Sequence, residues 1–320
     1  MNSKYIIIIL GEPYSTFSEI IGKYFKRKKK HKKKILLVGN INLLKKQLKK
    51  LKHSFSINQI RNLNQVKSNV VNMIDVEFNY KLSFDKISSK SSSYIEECFY
   101  KSLNLIKNKS NNFIIINGPI SKKSFLKKKY LGITEYLATK TKSKNEVMLI
   151  YNKNLSVVPL TTHIPIKLIA NNISKKRILN AVFKISKFYR EVLKKKAKIA
   201  VLGLNPHCET TLNFSEEEKI IIPSLKFLKK KGINIQGPFS ADTFFLEKNI
   251  KKYNVVIGMY HDQVLTPIKT LYNFEAINIT VGLPFIRISP DHGPNSEMLG
   301  KNTSDPSSFF YAMKFAEKIS

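Results

Sequence analysis

Short, continuous apolar runs alternate with amphipathic stretches along most of this 320-residue chain. Runs of this length, bounded by Gly, Asn or Pro, are typical of strands that are buried on both faces of a sheet. The alternation of such strands with helices predicts an α/β fold with a largely parallel sheet. The strand candidates are residues 5–10, 35–38, 113–116, 147–151, 198–202, 255–259 and 276–281.

Two of the intervening stretches carry helix signals. In residues 174–196 the apolar side chains fall on one helical face and the lysines on the other. Ser215, followed by three glutamates at 216–218, resembles a capping box that opens a helix running towards Lys231 and ending at Gly232.

The formal net charge of +34 would ordinarily suggest a nucleic-acid or anionic-membrane partner. The lysines, however, are spread through nearly every segment beside equally abundant Ile and Asn, and all three have AT-rich codons. No RNP, zinc-finger or helix-turn-helix signature is present. We therefore favour a lysine-coated enzyme without a nucleic-acid or membrane partner, and a basic nucleic-acid-binding protein is the alternative. His31 and His53, which lie among lysines, are predicted to be solvent-exposed.

The two cysteines, Cys98 and Cys208, are too few for a disulfide framework, which indicates a reducing compartment. The apolar stretch at residues 5–10 is too short for the apolar region of a signal peptide or for a membrane span. We therefore expect a cytoplasmic protein.

Four of the six histidines, His163, His207, His261 and His292, lie in short segments punctuated by Gly or Pro. Three of these segments follow strand candidates, and sites in α/β sheets collect at strand ends. Three imidazoles with an open coordination position are typical of a catalytic metal site. Since the first three histidines are far apart in sequence, such a site must be assembled from three loops. Each could instead be an ordinary histidine with a satisfied hydrogen bond.

No GxGxxG fingerprint follows any strand candidate, which disfavours a conventional Rossmann cofactor site. A domain break is predicted around residues 126–132, just after the glycine-containing segment NGPISKK.

Eight motifs occur along nearly the whole chain. They are GEPYSTFSEI (11–20), NGPISK (117–122), GITEYLA (132–138), TTHIP (161–165), GLNPH (203–207), GPFSADTFF (237–245), YHDQVLTPIK (260–269) and NITVGLPFIRISPDHG (278–293). Each is weak alone, but together and in this order they resemble the 4-hydroxythreonine-4-phosphate dehydrogenase family of vitamin B6 (pyridoxal 5′-phosphate) biosynthesis.

The resemblance implies two α/β domains with a cleft between them, similar to isocitrate and isopropylmalate dehydrogenases. The first domain would comprise residues 1–127 and 303–320, and the second, residues 128–302, would carry the metal ligands. The resemblance also implies a homodimer whose active site lies at the interface.

Individual roles follow from the same resemblance. The ligands of a divalent metal would be His163, His207 and His261. The substrate would be held by Thr134, Lys269, Asn278 and Arg287. Lys and Arg can neutralise phosphate and carboxylate, while Asn and Thr supply directional hydrogen bonds.

The cofactor loop implied by the resemblance includes Asp291, His292 and Gly293, which would contact NAD or NADP. A general base is also needed, and Asp242 and Asp262 are the candidates. Each of these two carboxylates could equally cap a helix or orient a histidine ligand.

The implied reaction is oxidation of the C3 hydroxyl of 4-phosphooxy-L-threonine by NAD⁺, with Zn, Mg or Co as Lewis acid. Decarboxylation of the β-keto acid would then give 3-amino-2-oxopropyl phosphate. A related dehydrogenase acting on 4-phospho-D-threonate or erythronate is the alternative substrate assignment.

The chain departs from the family pattern at three places. Ile133 replaces the histidine of GHTE, whose ring contacts the substrate phosphate in the family; an aliphatic side chain cannot donate that hydrogen bond. GEP replaces GDP near the start, and Cys208, Glu209 and Thr210 replace Ala-Gly-Glu after GLNPH.

Overall fold

The computed structural model describes residues 4–107, 112–126, 130, 132–209, 214–290 and 293–319. The chain divides into two compact units. The first consists of Met1–Ser143 and Leu283–Ser320, and the second is Lys144–Gly282. In the described part of the chain, no helix combines the length and apolarity needed to cross a bilayer.

The first unit consists of a set of parallel strands with helices that flank it. Its strands are β1 (Tyr5–Ile9), β2 (Lys34–Gly39), β3 (Ile57–Ile60), β4 (Val71–Asp75), β5 (Phe113–Asn117) and β12 (Ile286–Ser289). Its helices are α1 (Phe17–Arg27), α2 (Ile41–Lys50), α3 (Ser92–Ile106), α4 (Ile133–Lys140) and α11 (Ser307–Lys318). The strand order is β3-β4-β2-β1-β5-β12, and all neighbours in it are parallel.

The second unit is a mixed α/β unit. Its strands are β6 (Val147–Tyr151), β7 (Ser156–Pro159), β8 (Ile199–Leu202), β9 (Ile235–Phe239), β10 (Val255–Gly258) and β11 (Ile277–Val281). Its helices are α5 (Ile169–Asn172), α6 (Lys175–Glu191), α7 (Ile222–Lys230), α8 (Ala241–Phe244), α9 (Glu247–Ile250) and α10 (His261–Tyr272). The order is β11-β6-β7-β10-β8-β9, with β6 antiparallel to both its neighbours and the other pairs parallel.

The α/β class and all seven strand candidates are confirmed. The apolar-run criterion missed β3, β4, β7, β9 and β12, which are short or interrupted by polar residues. Asn72 in β4 shows how such an interruption is tolerated. Its side chain is fully buried, donates to the Ile35 carbonyl over 3.1 Å and accepts from the Lys67 amide over 2.9 Å.

Both helix predictions are confirmed in outline. Ser174 caps α6 by accepting from the Arg177 amide, and the apolar face of α6 is buried. The Ser215 hydroxyl accepts from the Glu218 amide at 3.4 Å, and Gly232 follows α7 with a φ of +75° that an L side chain rarely adopts. A π-helical turn, Glu217–Ile221, precedes α7 and was not predicted.

The unit boundaries lie at 143/144 and 282/283, whereas the sequence predicted domain boundaries at 127/128 and 302/303. The difference has two physical causes. Tyr136 and Leu137 of α4 are buried in the same apolar cluster as Phe99 of the first unit. In addition, β12 pairs with β5, so that Ile288 lies opposite Ile116.

The prediction that His31 and His53 are solvent-exposed is wrong. The His31 side chain is 4% exposed, and its Nδ1 lies 2.9 Å from Glu317 on α11. Its ring also stacks on Tyr24. His53 is partly buried, with Nε2 3.0 Å from the Asn302 Oδ1. Because both histidines lie among lysines in the sequence, the local pattern gave no indication of these tertiary contacts, which link sequence-distant segments of the first unit.

Glu12, the residue that distinguishes GEP from GDP, is buried just beyond β1. Its carboxylate accepts from the Ser91 hydroxyl at 3.0 Å, and the Tyr14 amide lies 3.5 Å away. Burial raises the pKa of Glu12 to about 7, and these two hydrogen bonds offset only part of that effect. Because the folded-state pKa exceeds the unfolded value of 4.5, Glu12 destabilises the fold increasingly as pH rises from about 4.5 through 7.

Glu12→Gln should therefore stabilise the protein at pH 8 by up to about 3 kcal/mol, because the buried charge is removed while an acceptor for Ser91 is kept. The gain should shrink as the pH falls to 5. Urea unfolding at both pH values measures it, and Glu77→Gln, at an exposed position, is the control. Equal gains at the two pH values would show that burial does not perturb Glu12.

Candidate active site

Three loops of the second unit start at the same edge of its sheet. The strands β7, β10 and β8 are adjacent and parallel, with β10 in the middle. His163 lies in the loop after β7, His207 in the turn after β8, and His261 opens α10 directly after β10. Because the carboxyl ends of parallel strands meet at one edge, the fold gathers the three predicted histidines there.

The side chains form two close pairs. The rings of His163 and His261 have centroids 5.8 Å apart, and Nδ1 of His207 lies 3.9 Å from the Asp242 carboxylate. The His207 side chain is 75% exposed. Among the residues that the structure describes, no group of three or more His, Cys, Asp or Glu side chains is arranged to hold a metal ion. A shared metal site for the three histidines therefore stays a prediction.

Asp262 is held against the neighbouring histidine. Its Oδ1 lies 2.6 Å from Nδ1 of His261. A carboxylate in this position fixes the imidazole with its proton on Nδ1 and leaves Nε2 as a free electron-pair donor. Of the roles open to Asp262 in the sequence, orientation of a histidine is the one that this geometry supports.

Asp242 is the second residue of the short helix α8. Its Oδ1 accepts from the Ser240 hydroxyl at 2.6 Å and from the Thr243 amide at 2.8 Å. The Ser240 hydrogen bond, followed by the Thr243 amide and the nearby His207, lowers the pKa of Asp242. Asp242 is thus an exposed, ionised carboxylate beside His207, and its lowered pKa makes it a weaker base.

Two side chains missed by the sequence reasoning tie the histidine loops together. The Thr161 hydroxyl donates to the Met259 carbonyl at 2.7 Å, which joins the loop of His163 to that of His261. Gln263 accepts from the Met259 amide at 2.7 Å and donates to the Gly203 carbonyl at 2.8 Å. Thr161 lies in the motif TTHIP and Gln263 in YHDQVLTPIK, so the sequence analysis contained both residues. Only the strand order shows which loops they connect.

In the first unit, Arg287 and Thr134 are brought together. Arg287, on β12, is 1% exposed; its Nε donates to Oδ1 of Asn117 at 2.7 Å and its Nη1 to the Thr134 hydroxyl at 3.4 Å. Burial lowers the pKa of Arg287 to about 10, while the nearby Glu135 acts in the opposite sense. The guanidinium therefore stays charged at neutral pH. Asn117, at the end of β5, was not among the predicted site residues.

The other two predicted substrate residues belong to the second unit. Lys269 is partly buried on α10, with Nζ 5.9 Å from the Phe274 ring centroid, and burial lowers the pKa of Lys269. Asn278, on β11, has a buried Oδ1 that accepts no hydrogen bond within the described residues. An unsatisfied buried acceptor is unusual in a native fold and is compatible with a ligand donor.

The predicted cofactor loop is only partly covered by the structure. Asp291 and His292 lie outside the described residues, whereas Gly293 lies within them. Next to Gly293, the Pro294 carbonyl accepts from the amide of Thr16, the residue that precedes α1. The contribution of these residues to cofactor binding stays a prediction.

Two cavities of about 850 and 860 Å³ occur in the first unit. One lies between α3 and α4 and is lined in part by Tyr100 and Tyr136, and the other is lined in part by Phe25 and Lys29. None of the predicted site residues that the structure describes lines either of them. Cavity size alone therefore does not locate the site in this chain.

Comparison with known proteins settles the family. Residues 31–316 match the family model described as pyridoxal phosphate biosynthetic protein PdxA. The chain belongs to this family. The match spans most of the chain, and it confirms the resemblance carried by the eight motifs.

The relatives within the family carry two kinds of name. A 4-hydroxythreonine-4-phosphate dehydrogenase of Sulfurihydrogenibium is 36% identical over 97% of both chains. A D-threonate 4-phosphate dehydrogenase of Salmonella typhimurium is 28% identical over 100% of both. Among solved structures, a 4-hydroxythreonine-4-phosphate dehydrogenase of Klebsiella pneumoniae superimposes with a TM-score of 0.86 at 27% identity, covering 98% of this chain and 97% of that one.

The predicted likeness to the isocitrate dehydrogenase fold is also confirmed. Isocitrate dehydrogenase of Methylococcus capsulatus matches 99% of this chain and 85% of its own with a TM-score of 0.50. The identity is only 9%, so this comparison concerns the fold alone.

Proposed function

We propose that the protein oxidises 4-phosphooxy-L-threonine with NAD⁺ and releases CO₂ to give 3-amino-2-oxopropyl phosphate for vitamin B6 biosynthesis. The relative at 36% identity bears the name of this dehydrogenase. The structural observation that carries the proposal is the gathering of His163, His207 and His261 at the ends of three adjacent parallel strands.

The chemistry of these residues suits a divalent cation such as Zn²⁺, Mg²⁺ or Co²⁺. His163 and His261 already lie side by side, and Asp262 leaves Nε2 of His261 available as a donor. His207 is mostly exposed, so packing does not hold its ring away from the other two. When bound, the cation would act as a Lewis acid on the substrate oxygens.

The other predicted residues supply binding and proton transfer. Arg287, preorganised by Asn117, and Lys269 provide positive charge for the phosphate and carboxylate of the substrate. Thr134 and the unsatisfied Oδ1 of Asn278 offer directional hydrogen bonds.

The proton from the C3 hydroxyl needs a general base, and the candidates are Asp242, exposed beside His207, and Asp262, which lies against His261. The cofactor would be NAD or NADP, held by Asp291, His292 and Gly293. We further infer, from the family resemblance alone, that the active form is a homodimer.

D-threonate 4-phosphate is the second candidate substrate. Ile133 opens α4 and packs against the apolar cluster of the first unit instead of offering a donor, but both substrates carry the same phosphate, so this residue does not distinguish them. A D-threonate 4-phosphate dehydrogenase that matches this chain over its full length is what supports the second candidate. The lower identity to the threonate enzyme, 28% against 36%, makes it the second choice.

The metal proposal predicts that His163→Ala, His207→Ala and His261→Ala each abolish retention of a divalent cation together with metal-dependent NADH production. Metal content by mass spectrometry and an absorbance assay measure the two effects. His53→Ala, whose histidine lies in the first unit, is the control and should change neither. Full metal content and activity in all three variants would refute the proposal.

The substrate proposal predicts that Ile133→His restores a hydrogen bond to phosphate worth about 1.5–3 kcal/mol, or roughly ten- to over a hundredfold in binding. The KM for 4-phosphooxy-L-threonine should fall while the KM for NAD⁺ changes little. Ile133→Val is the matched control, and D-threonate 4-phosphate assayed in parallel separates the two substrates. A higher kcat/KM of the wild-type protein for D-threonate 4-phosphate than for 4-phosphooxy-L-threonine would reverse the assignment.

A further inference from the structure

The turn that carries His207 is built from an unfavourable backbone. His207 and Cys208 have φ values of 55° and 61°, so two successive non-glycine residues adopt the left-handed conformation. L side chains rarely occupy this region, and such residues persist only where the surrounding structure holds them. Some other group must therefore fix the segment between β8 and His207.

Glu217 provides that restraint from the π-helical turn before α7. Its side chain is fully buried, and Oε1 accepts from the amides of Leu204 at 2.6 Å and Asn205 at 2.9 Å. Its Oε2 accepts from Nδ2 of Asn205 and from the Ser215 hydroxyl, both at 2.8 Å. Two donors therefore meet each oxygen of one carboxylate, and three of the four come from the residues just before the left-handed turn.

The charge of Glu217 is compensated by neutral donors. Burial alone would raise the pKa of this carboxyl, but the hydrogen bonds from Asn205 and Ser215 outweigh burial and lower it. No Lys or Arg nitrogen in the described part of the chain lies within 4.0 Å of it, although the chain has 56 such residues. The ionised carboxylate thus holds the loop without placing a competing cation beside the histidines.

The same segment is tied to the loop of His261. The Gly203 carbonyl accepts from Gln263, which also binds the Met259 amide, so one side chain links the ends of β8 and β10. Gly203 is packed closely: a Cβ there would lie 2.6 Å from Sγ of Cys208 and 3.0 Å from Oε1 of Glu217. The contacts that restrain the His207 turn therefore extend to the end of β10, which His261 follows.

We infer that Glu217 is a positioning residue, whose buried carboxylate holds Leu204 and Asn205 so that the left-handed turn presents His207 at the strand edge beside His261. The part of this inference that concerns metal binding rests on the proposed function. The positioning of the turn itself does not.

The test compares Glu217→Ala and Glu217→Gln with Glu218→Gln, which changes an exposed carboxylate on the same turn. Zn²⁺ alone is titrated into each apoprotein by calorimetry. The Kd for Zn²⁺ should rise about ten- to a hundredfold in the alanine variant, as for other residues that orient metal ligands. The glutamine variant, which keeps one accepting oxygen, should be affected less, and Glu218→Gln should match wild type. In assays, kcat should fall while the KM for NAD⁺ stays unchanged.

Hydrogen exchange on the same proteins without metal is the second readout. The amides of Leu204 and Asn205 should lose protection in Glu217→Ala, while those of β8 keep it. If Glu217→Ala does not fold, Ser215→Ala takes its place. It removes only one of the four hydrogen bonds and should therefore give a smaller loss of protection at the same amides. Unchanged exchange at both amides would overturn the inference, whereas a wild-type protein that binds no Zn²⁺ would instead count against the proposed function.

Discussion

The parallel pairing of β7, β10 and β8 is the constraint on which the candidate site depends. Parallel strands run in the same direction, so the chain leaves all three at one edge, and each exit carries one of the histidines. The strands themselves are buried, with Val157, Val201 and Ile257 fully inaccessible. Polar chemistry is therefore confined to the loops after the strands, where backbone groups and side chains can satisfy one another.

Much of this arrangement could be predicted from the sequence because the signals are local. Continuous apolar runs identified the central strands, and punctuation by Gly and Pro identified the histidine loops. The order of the strands could not be predicted, because it depends on pairings such as Val255 with Ser156 that join residues far apart in the chain. For the same reason the roles of Thr161, Gln263 and Asn117 became visible only from their partners.

The strong positive charge misled the prediction in one respect and not in another. The lysines, which are distributed along the whole chain, were correctly interpreted as a coating of the surface, since they do not disturb the apolar core. This distribution concealed, however, that His31 lies against Glu317 and that Glu19 is buried, accepting from Lys23 at 2.7 Å and from the Ser304 amide at 2.5 Å. Buried carboxylates at these positions connect α1 to the C-terminal part of the first unit, and no sequence pattern distinguishes them from surface ion pairs.

Three buried glutamates show why the environment of a carboxylate decides its role. Glu19 and Glu217 are both almost inaccessible, but the first is neutralised by a lysine and the second by peptide and side-chain dipoles. Glu12 has fewer donors, and its pKa rises towards neutrality. The role that we infer in the His207 turn requires a carboxylate that stays ionised, so that both oxygens accept, and that is not already paired with a lysine. Of the three, only the environment of Glu217 meets both conditions.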